Sequence, residues 1–418
     1  MESETRYAIG NEEESEDEEL LIAISEFHPH SDNQHQLALN KGQAVRVLKK
    51  SNENWWWANV DGREGYVPVS YLNKGKQVQW QDEEYFGNYG NLKLHQEMLA
   101  DKQRTEAYLN AIVNNAECLQ HKVILDVGCG TGILSMLCAK HAQPKKVYAV
   151  EASDMALHTQ QLVEKNNLTM TVKVLHAFAE DAELDEPVDL IVSEWMGTFL
   201  LFEMMIEAVI TMRDRYLKPG GTIWPSTANL ILVPCCANDQ YKMNMEFWDS
   251  QYGLDFSYLR GLAKDDLIQK PKHDYVLPRD DCLALEQEIL KLNIRTVAIE
   301  DLEEQTCKFE FTVQKDETMH GFCAWFEVEF HPLSKDADMV SLNTGPDHAL
   351  THWKQDLFLL DEPILVNCGD VISGHVTISR NPKFRRHLRA SYDFSLTSPD
   401  NETQNDAKHI QKMFYIWR

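Results

Sequence analysis

Glu194 and Glu203 stand nine residues apart in SEWMGTFLLFE, downstream of a glycine-rich turn, Asp126-Val127-Gly128-Cys129-Gly130-Thr131-Gly132. Two carboxylates in one cleft raise each other's pKa, and desolvation raises both. A planar guanidinium stays protonated and offers paired N–H donors to each carboxylate, so the pair points to chemistry on arginine. The turn points to a cofactor. Glycines after a buried strand let backbone approach a ligand without a Cβ clash and set a helix N-terminus beside it. Gly128, Gly130 and Gly132 depart from the G-x-G-x-x-G spacing, which disfavours a dinucleotide. Glu151, ending the next strand, is placed to accept both hydroxyls of a ribose.

Elements must hold these groups in place. VILDVG, KVYAVE, TVKVL and VDLIVSE read as buried parallel strands, with helices around Leu134 to His141 and Met155 to Asn166, so residues 85–227 are expected to form an α/β unit. Ahead of the strands, Leu94, Met98, Tyr108, Leu109, Ile112 and Val113 recur at helical spacing. Residues 228–418 carry strand-like runs such as NLILVPCC, CKFEFTVQ, GFCAWFEVEF and SGHVTIS, which predict a largely β domain. Within it, Phe247, Trp248, Tyr252, Leu254, Phe256, Tyr258 and Leu259 crowd into thirteen residues, a patch that calls for a partner and marks a dimerisation arm near 245–262. Residues 20–73 read as the short strands LLIAISEF, QLAL, QAVRVLKK, WWWANV and EGYVPV of a small barrel, and 74–84 as a polar linker. Side chains alternate along a strand, so Trp55, Trp56 and Trp57 cannot share one core. An aromatic exposed near Pro68 and Tyr71 makes a groove for a polyproline II peptide.

The chain of 418 residues exceeds one hydrophobic core, and 43% apolar content fits a multidomain soluble enzyme. Lys plus Arg, 40, against Asp plus Glu, 66, give a net charge of −26. This disfavours direct nucleic-acid or anionic-membrane binding and favours basic protein partners. Residues 1–19 hold nine acids against Arg6 and read as a disordered tail. A basic cluster at Lys383, Arg385, Arg386 and Arg389 reads as a solvated strand face. Nine cysteines without C-x-x-C pairs or zinc spacing imply neither disulfides nor a metal site, and His28, His30 and His35 read as a polar loop. The acidic start lacks the features of a secretory signal, and no apolar run nears the roughly 20 residues needed to cross a bilayer. The expected location is nucleus and cytoplasm.

Over residues 20–73, AISEF, WWWA and GREGYVPVSY resemble the ALYDY, WWxA and terminal motifs of SH3 domains. The resemblance gives Phe27, Trp55, Pro68 and Tyr71 as groove residues that recruit proline-rich partners. Ser25 and Phe27 replace the family's tyrosines. Asp32 and Glu53 are the only acids near the ligand-arginine position, so binding should depend weakly on salt and should weaken as the loop histidines protonate.

VILDVGCGTG and LKPGG resemble landmarks of class I S-adenosylmethionine-dependent methyltransferases, which have a Rossmann-like domain. From residue 84 onward YFGNY, HQEMLADKQRT, LDVGCGTG, SEWMG followed by Glu203, and THWKQ resemble, in order, the protein arginine N-methyltransferases. With its SH3 segment, the chain is most similar to that family's SH3-containing member. The resemblance implies S-adenosylmethionine as cofactor, with Asp126, Gly128 and Gly130 in its turn, His95 and Arg104 at its methionine part, Glu151 at its ribose and Glu180 near its adenine. Glu194 and Glu203 would orient the substrate guanidinium, and His352 with Asp101 would accept a proton. Tyr85, Tyr89, Met98, Met205 and Trp353 would close the substrate pocket. The two methionines imply monomethyl and asymmetric dimethyl products, on histones or other nuclear and RNA-binding proteins; the resemblance also makes residues 228–418 a β-barrel-like substrate domain, whose arm implies a homodimer. Thr198 and Phe202 replace common tyrosines, which lowers expected activity and leaves an alternative: a weakly active SH3 adaptor or transcriptional coregulator with the fold as scaffold.

Overall fold

A computed structural model describes residues 19–23, 27, 29, 35–40, 43–51, 55–73, 85–87, 89–264, 268–381, 384–399 and 408–417. The acidic tail up to residue 18, the linker 74–84, Ser25, His28, His30, Asp32, Glu53 and Lys383 lie outside them. The chain divides into two compact units between Tyr85 and Phe86.

The first unit is one antiparallel sheet of β1 (Glu19–Ala23), β2 (Ala44–Lys49), β3 (Trp55–Val60), β4 (Arg63–Pro68) and β5 (Leu72–Asn73), in the order β4-β3-β2-β1-β5. Alternation decides the tryptophans: Trp56 joins the core at 6% exposure, while Trp55 and Trp57 lie half-buried on the other face. QLAL, expected as a strand, makes only isolated bridges, Gln36 to Tyr66 and Leu39 to Phe27.

The second unit opens with α1 (Leu92–Ala100) and α2 (Lys102–Asn114), capped at their N-termini by the side chains of Asn91 and Asp101. A five-stranded parallel sheet follows: β6 (Val123–Val127), β7 (Lys146–Glu151), β8 (Val172–His176), β9 (Val188–Val192) and β10 (Leu217–Trp224), in the order β10-β9-β6-β7-β8. All five residues of β6 are buried, as befits a strand covered on both faces. Helices α3 (Ile133–Ala142), α4 (Met155–Lys165) and α5 (Ile206–Tyr216) connect them. Strand order reverses between β6 and β9, and ligands bind at the carboxyl ends of strands beside such a switch. The glycine turn leaves β6 there, and Ser193-Glu194 leaves β9 there.

After β10 come β11 (Thr227–Cys235), β12 (Lys272–Tyr275), β13 (Gln287–Asn293), β14 (Glu304–Thr312), β15 (Glu317–Phe330), β16 (Val340–Asn343), β17 (Gln355–Val366), β18 (Val371–Arg380), β19 (Leu388–Thr397) and β20 (Lys408–Ile416). They form two antiparallel sheets, one built on β12-β17-β15-β11-β13 and the other on β14-β18-β19-β20. One apolar core runs from Val127 and Trp224 through Leu230 to Phe322 and Phe394, so the α/β and β parts pack as a single body. The arm segment between β11 and β12 is short helical turns. Phe247, Tyr252, Leu254 and Tyr258 are among its exposed apolar residues, whereas Trp248 and Phe256 are half-buried.

Candidate functional site

The glycine turn is forced by its neighbours. Gly128, Gly130 and Gly132 have φ of 70°, 52° and 75°, the left-handed region that glycine enters without Cβ strain. A Cβ on Gly128 would lie 2.5 Å from Met205 Cε, and one on Gly130 would lie 3.1 Å from His95 Cε1. His95, 2% exposed, fixes α1 over the turn through Nε2, 2.7 Å from the Tyr89 carbonyl. Glu151 accepts the Gly130 and Ser153 amides, each at 2.8 Å, which sets its carboxylate at the mouth of the turn. Asp126, expected in the cofactor turn, lies near the end of β6 beneath it and divides its carboxylate between two environments. Its Oδ2 accepts the Ser135 amide and hydroxyl at 3.0 and 2.7 Å, pinning the first turn of α3, and its buried Oδ1 has no hydrogen-bond partner among the described residues. Burial pushes its carboxyl up from 3.8 to about 7, against the Ser135 hydrogen bonds. Glycine-rich turn, helix N-terminus, nearby acid and orphaned oxygen together fit a polar nucleoside cofactor. Glu180 lies exposed after β8, and its carbonyl accepts Arg215 Nη1 at 2.7 Å. Tyr85 is the last residue of the first unit.

Glu194 and Glu203 sit in a loop of unusual backbone. Phe199, Leu200, Glu203 and Met204 all have φ between 50° and 74°, a conformation that costs a non-glycine residue about 1 kcal/mol or more each. Gly197 permits the fold-back, since a Cβ there would meet the Phe202 carbonyl at 2.1 Å. Arg104 donates through Nε and Nη2 to Glu194 Oε2 at 3.0 and 2.9 Å, and the Met196 amide donates to Oε1 at 3.2 Å. The resemblance gave Arg104 to the cofactor and Glu194 to the substrate; here they bind each other, because two side chains only 6% and 8% exposed neutralise one another. Tyr89 donates its hydroxyl to Glu203 Oε2 at 2.7 Å.

Residues distant in sequence hold this loop. The Glu203 amide donates to the Arg386 carbonyl at 2.9 Å, and Arg386 Nη1 returns a bond of 2.8 Å to the Glu203 carbonyl. Arg385, with Arg380, pairs with buried Glu207 on α5. Arg385 and Arg386 are thus tethers of the α/β part, not a solvated strand face. Trp353 Nε1 donates to the Met196 carbonyl at 3.0 Å, and Asp356 Oδ2 accepts the Phe199 amide at 2.8 Å. Phe202 is buried beside His387, and Thr198 contributes its carbonyl to the Phe202 amide.

His352 and Asp101 meet as the spacing of their motifs could not show. Asp101 Oδ2 accepts His352 Nδ1 at 2.7 Å and the His352 amide at 2.8 Å, while Oδ1 caps α2 at the Arg104 amide. Burial pushes the Asp101 carboxyl up, but the His352 hydrogen bond and the Arg104 amide outweigh it and hold the group below 3.8. Met98 gives its carbonyl to Arg104 Nη1 at 3.4 Å. Tyr108, unassigned from sequence, is 1% exposed and donates to the Ser193 carbonyl at 2.9 Å, locking α2 to the end of β9.

In the first unit Phe27 packs edge-on against Trp55 and Tyr71, with ring centroids 5.8 and 5.3 Å apart. Pro68 pairs in register with Trp55 but is buried, so the three aromatics carry the groove's accessible surface. Trp57 instead packs on Tyr66 and donates to Glu64.

Three family models match: a variant SH3 domain over 20–75, a methyltransferase domain over 124–221 and the arginine methyltransferase oligomerization subdomain over 226–399. Protein arginine N-methyltransferase 2 of Homo sapiens is 45% identical over 405 residues, covering 96% of this chain and 93% of its own length. Among solved structures, Arabidopsis thaliana protein arginine methyltransferase 10 gives a TM-score of 0.72 at 32% identity, covering 80% of this chain and 100% of its own. The Trypanosoma brucei PRMT1 enzyme–prozyme heterotetrameric complex with AdoHcy gives 0.70 at 30%, covering 79% and 99%. S-adenosylmethionine is accordingly the methyl donor. The fold, the double-glutamate loop and these relatives agree: the chain belongs to the protein arginine N-methyltransferase family.

Proposed function

We propose that the chain methylates guanidinium nitrogens of protein-bound arginine to monomethyl and asymmetric dimethyl arginine, on histones and other nuclear or RNA-binding proteins, in nucleus and cytoplasm. The observation that carries this reading is the loop that brings Glu194 and Glu203 to the switch point beside the glycine turn. S-adenosylmethionine, when bound, supplies a methyl carbon activated by a sulfonium. Glu203, steadied by Tyr89, and Glu194, steadied by Arg104, orient the substrate guanidinium and offset its charge. Arg104, still a donor to Glu194, and His95 hold the methionine end, Glu151 the ribose and Glu180 the adenine side. His352, oriented by Asp101, takes up the proton that the methylated nitrogen loses. Met205, packed on Gly128, and Met98 narrow one side of the pocket and direct the second methyl to the same nitrogen. Trp353 helps enclose the site.

The exposed Phe247, Tyr252, Leu254 and Tyr258 supply the arm of a homodimer, and the SH3 groove recruits proline-rich partners. Incubation with labelled S-adenosylmethionine and histone or arginine-rich proteins, followed by fragmentation mass spectrometry, tests the reading. Labelled asymmetric dimethylarginine supports it; mainly symmetric product overturns the product type, and no label despite measured cofactor binding overturns the reaction.

The aromatic cluster of Phe27, Trp55 and Tyr71 favours a second reading, an adaptor in which catalysis is secondary. Full rescue of a cellular binding or transcription phenotype by Glu194→Gln would favour it; failure of the folded variant would oppose it.

A further inference from the structure

We infer that Asp356, backed by His273, is a positioning residue for the substrate-facing glutamates, an inference that rests on the proposed reaction for its kinetic consequences. Asp356 is the second residue of β17, just after the Thr351–Lys354 turn, and is 6% exposed. Its Oδ2 accepts the amide of Phe199, and its Oδ1 lies 2.6 Å from His273 Nδ1. The amide it holds belongs to the first of two consecutive left-handed residues, Phe199 and Leu200, around which the loop reverses between the two glutamates. The Gly197 amide closes that reversal on the Leu200 carbonyl at 2.9 Å.

Two further features make the contact a built one. Phe358, two residues along the same face of β17, packs edge-on against the Phe199 ring with centroids 5.0 Å apart. One strand therefore grips Phe199 by both amide and ring. On the other side, β12 carries an irregularity placed to supply His273: Lys272 pairs with Leu357 and Tyr275 with Gln355, so His273 and Asp274 together oppose Asp356. Asp274 has a φ of 61°, and such bulges re-aim a side chain toward a site. A strained loop persists only where its surroundings over-determine it, and the buried carboxylate answers the strain at its first left-handed residue. The imidazole N–H occupies the second oxygen, which fixes the carboxylate plane toward the loop.

The test uses the full chain with three variants. Asp356→Ala removes the acceptor, Asp356→Asn keeps a carbonyl oxygen for the Phe199 amide, and His273→Ala frees the carboxylate plane. Hydrogen exchange read by mass spectrometry on peptides spanning residues 196–204 measures positioning whether or not the protein turns over, and urea unfolding verifies that each variant is folded. The expected result is faster exchange in Asp356→Ala, a kcat on arginine peptide lower by about ten- to a hundredfold with unchanged cofactor affinity, recovery of most of that loss in Asp356→Asn, and an intermediate value in His273→Ala. Unchanged exchange in folded Asp356→Ala overturns the inference, as does an unchanged kcat. A wild-type protein that methylates no arginine would instead overturn the proposed reaction, and the exchange comparison would still decide whether Asp356 positions the loop.

Discussion

Arg104 and Glu194, ninety residues apart in sequence, form a two-pronged ion pair in which guanidinium Nε and Nη2 converge on one carboxylate oxygen. The pair neutralises two charges that burial would otherwise make costly, and it joins α2 to the loop of the double glutamate. Burial lowers the Arg104 pKa, but the Glu194 charge reverses that and holds it above its ordinary value.

Removing one partner should therefore harm more than removing both. Arg104→Met leaves a buried carboxylate without its cation and should destabilise by about 3–5 kcal/mol, whereas Arg104→Met/Glu194→Leu should recover most of that. Urea unfolding of the two variants checks this; a double variant no more stable than Arg104→Met contradicts it.

Gly197→Ala should separate folding of the cofactor cleft from alignment of the glutamates. The added methyl meets the Phe202 carbonyl, backbone that cannot swing aside, so Glu203 must shift with it. Turnover should fall on the order of a hundredfold, with cofactor affinity nearly kept, as calorimetry and steady-state kinetics can show.

The burial-raised pKa of Asp126, about 7 against an ordinary 3.8, gives a pH signature. Between those values the folded state holds a proton that the unfolded chain has released, so this group makes stability fall as pH rises, by at most about 1.4 kcal/mol per pH unit. Asp101 acts oppositely. Its depressed pKa contributes stability above 3.8 that is lost as pH falls through the folded value. Asp126→Asn should flatten the decline between pH 4 and 7 in a chemical-unfolding series while leaving the loss at lower pH; an unchanged decline contradicts the assignment.

The readable parts of this chain were those whose signal is local. The glycine turn, the buried strands from Val123 to Val192 and the aromatic arm each follow from adjacent residues and short periods. QLAL was misread because Leu37 and Leu39 have strand-like neighbours, while the actual partners, Tyr66 and Phe27, come from opposite directions along the chain. Asp356 carried no pattern, and neither the helical spacing of Tyr108 nor the basic clustering of Arg385 and Arg386 pointed to their contacts. Each acts through a contact with a segment roughly a hundred or more positions away, and their spacing would be unremarkable on any polar surface. The tether roles depend on how the β part closes against the α/β sheet.

The arm supplies a prediction about assembly. Tyr252, Leu254 and Tyr258 are exposed at 103%, 63% and 90%, whereas Trp248 Nε1 is engaged by the Asn244 carbonyl. Replacing those three with serine should yield a folded monomer in sedimentation experiments and weaken cofactor binding. A triple variant that remains dimeric would place the interface elsewhere, and a monomer with unchanged cofactor affinity would break the proposed coupling.

The most direct measurement for the central claim, that the strained loop presents Glu194 and Glu203 to a substrate guanidinium, is quantitative mass spectrometry of an arginine-rich protein incubated with S-adenosylmethionine and either wild type or Glu203→Gln. The account predicts methylarginine from wild type, none above background from Glu203→Gln, and the same cofactor dissociation constant for both. Equal methylation by the two proteins would contradict it.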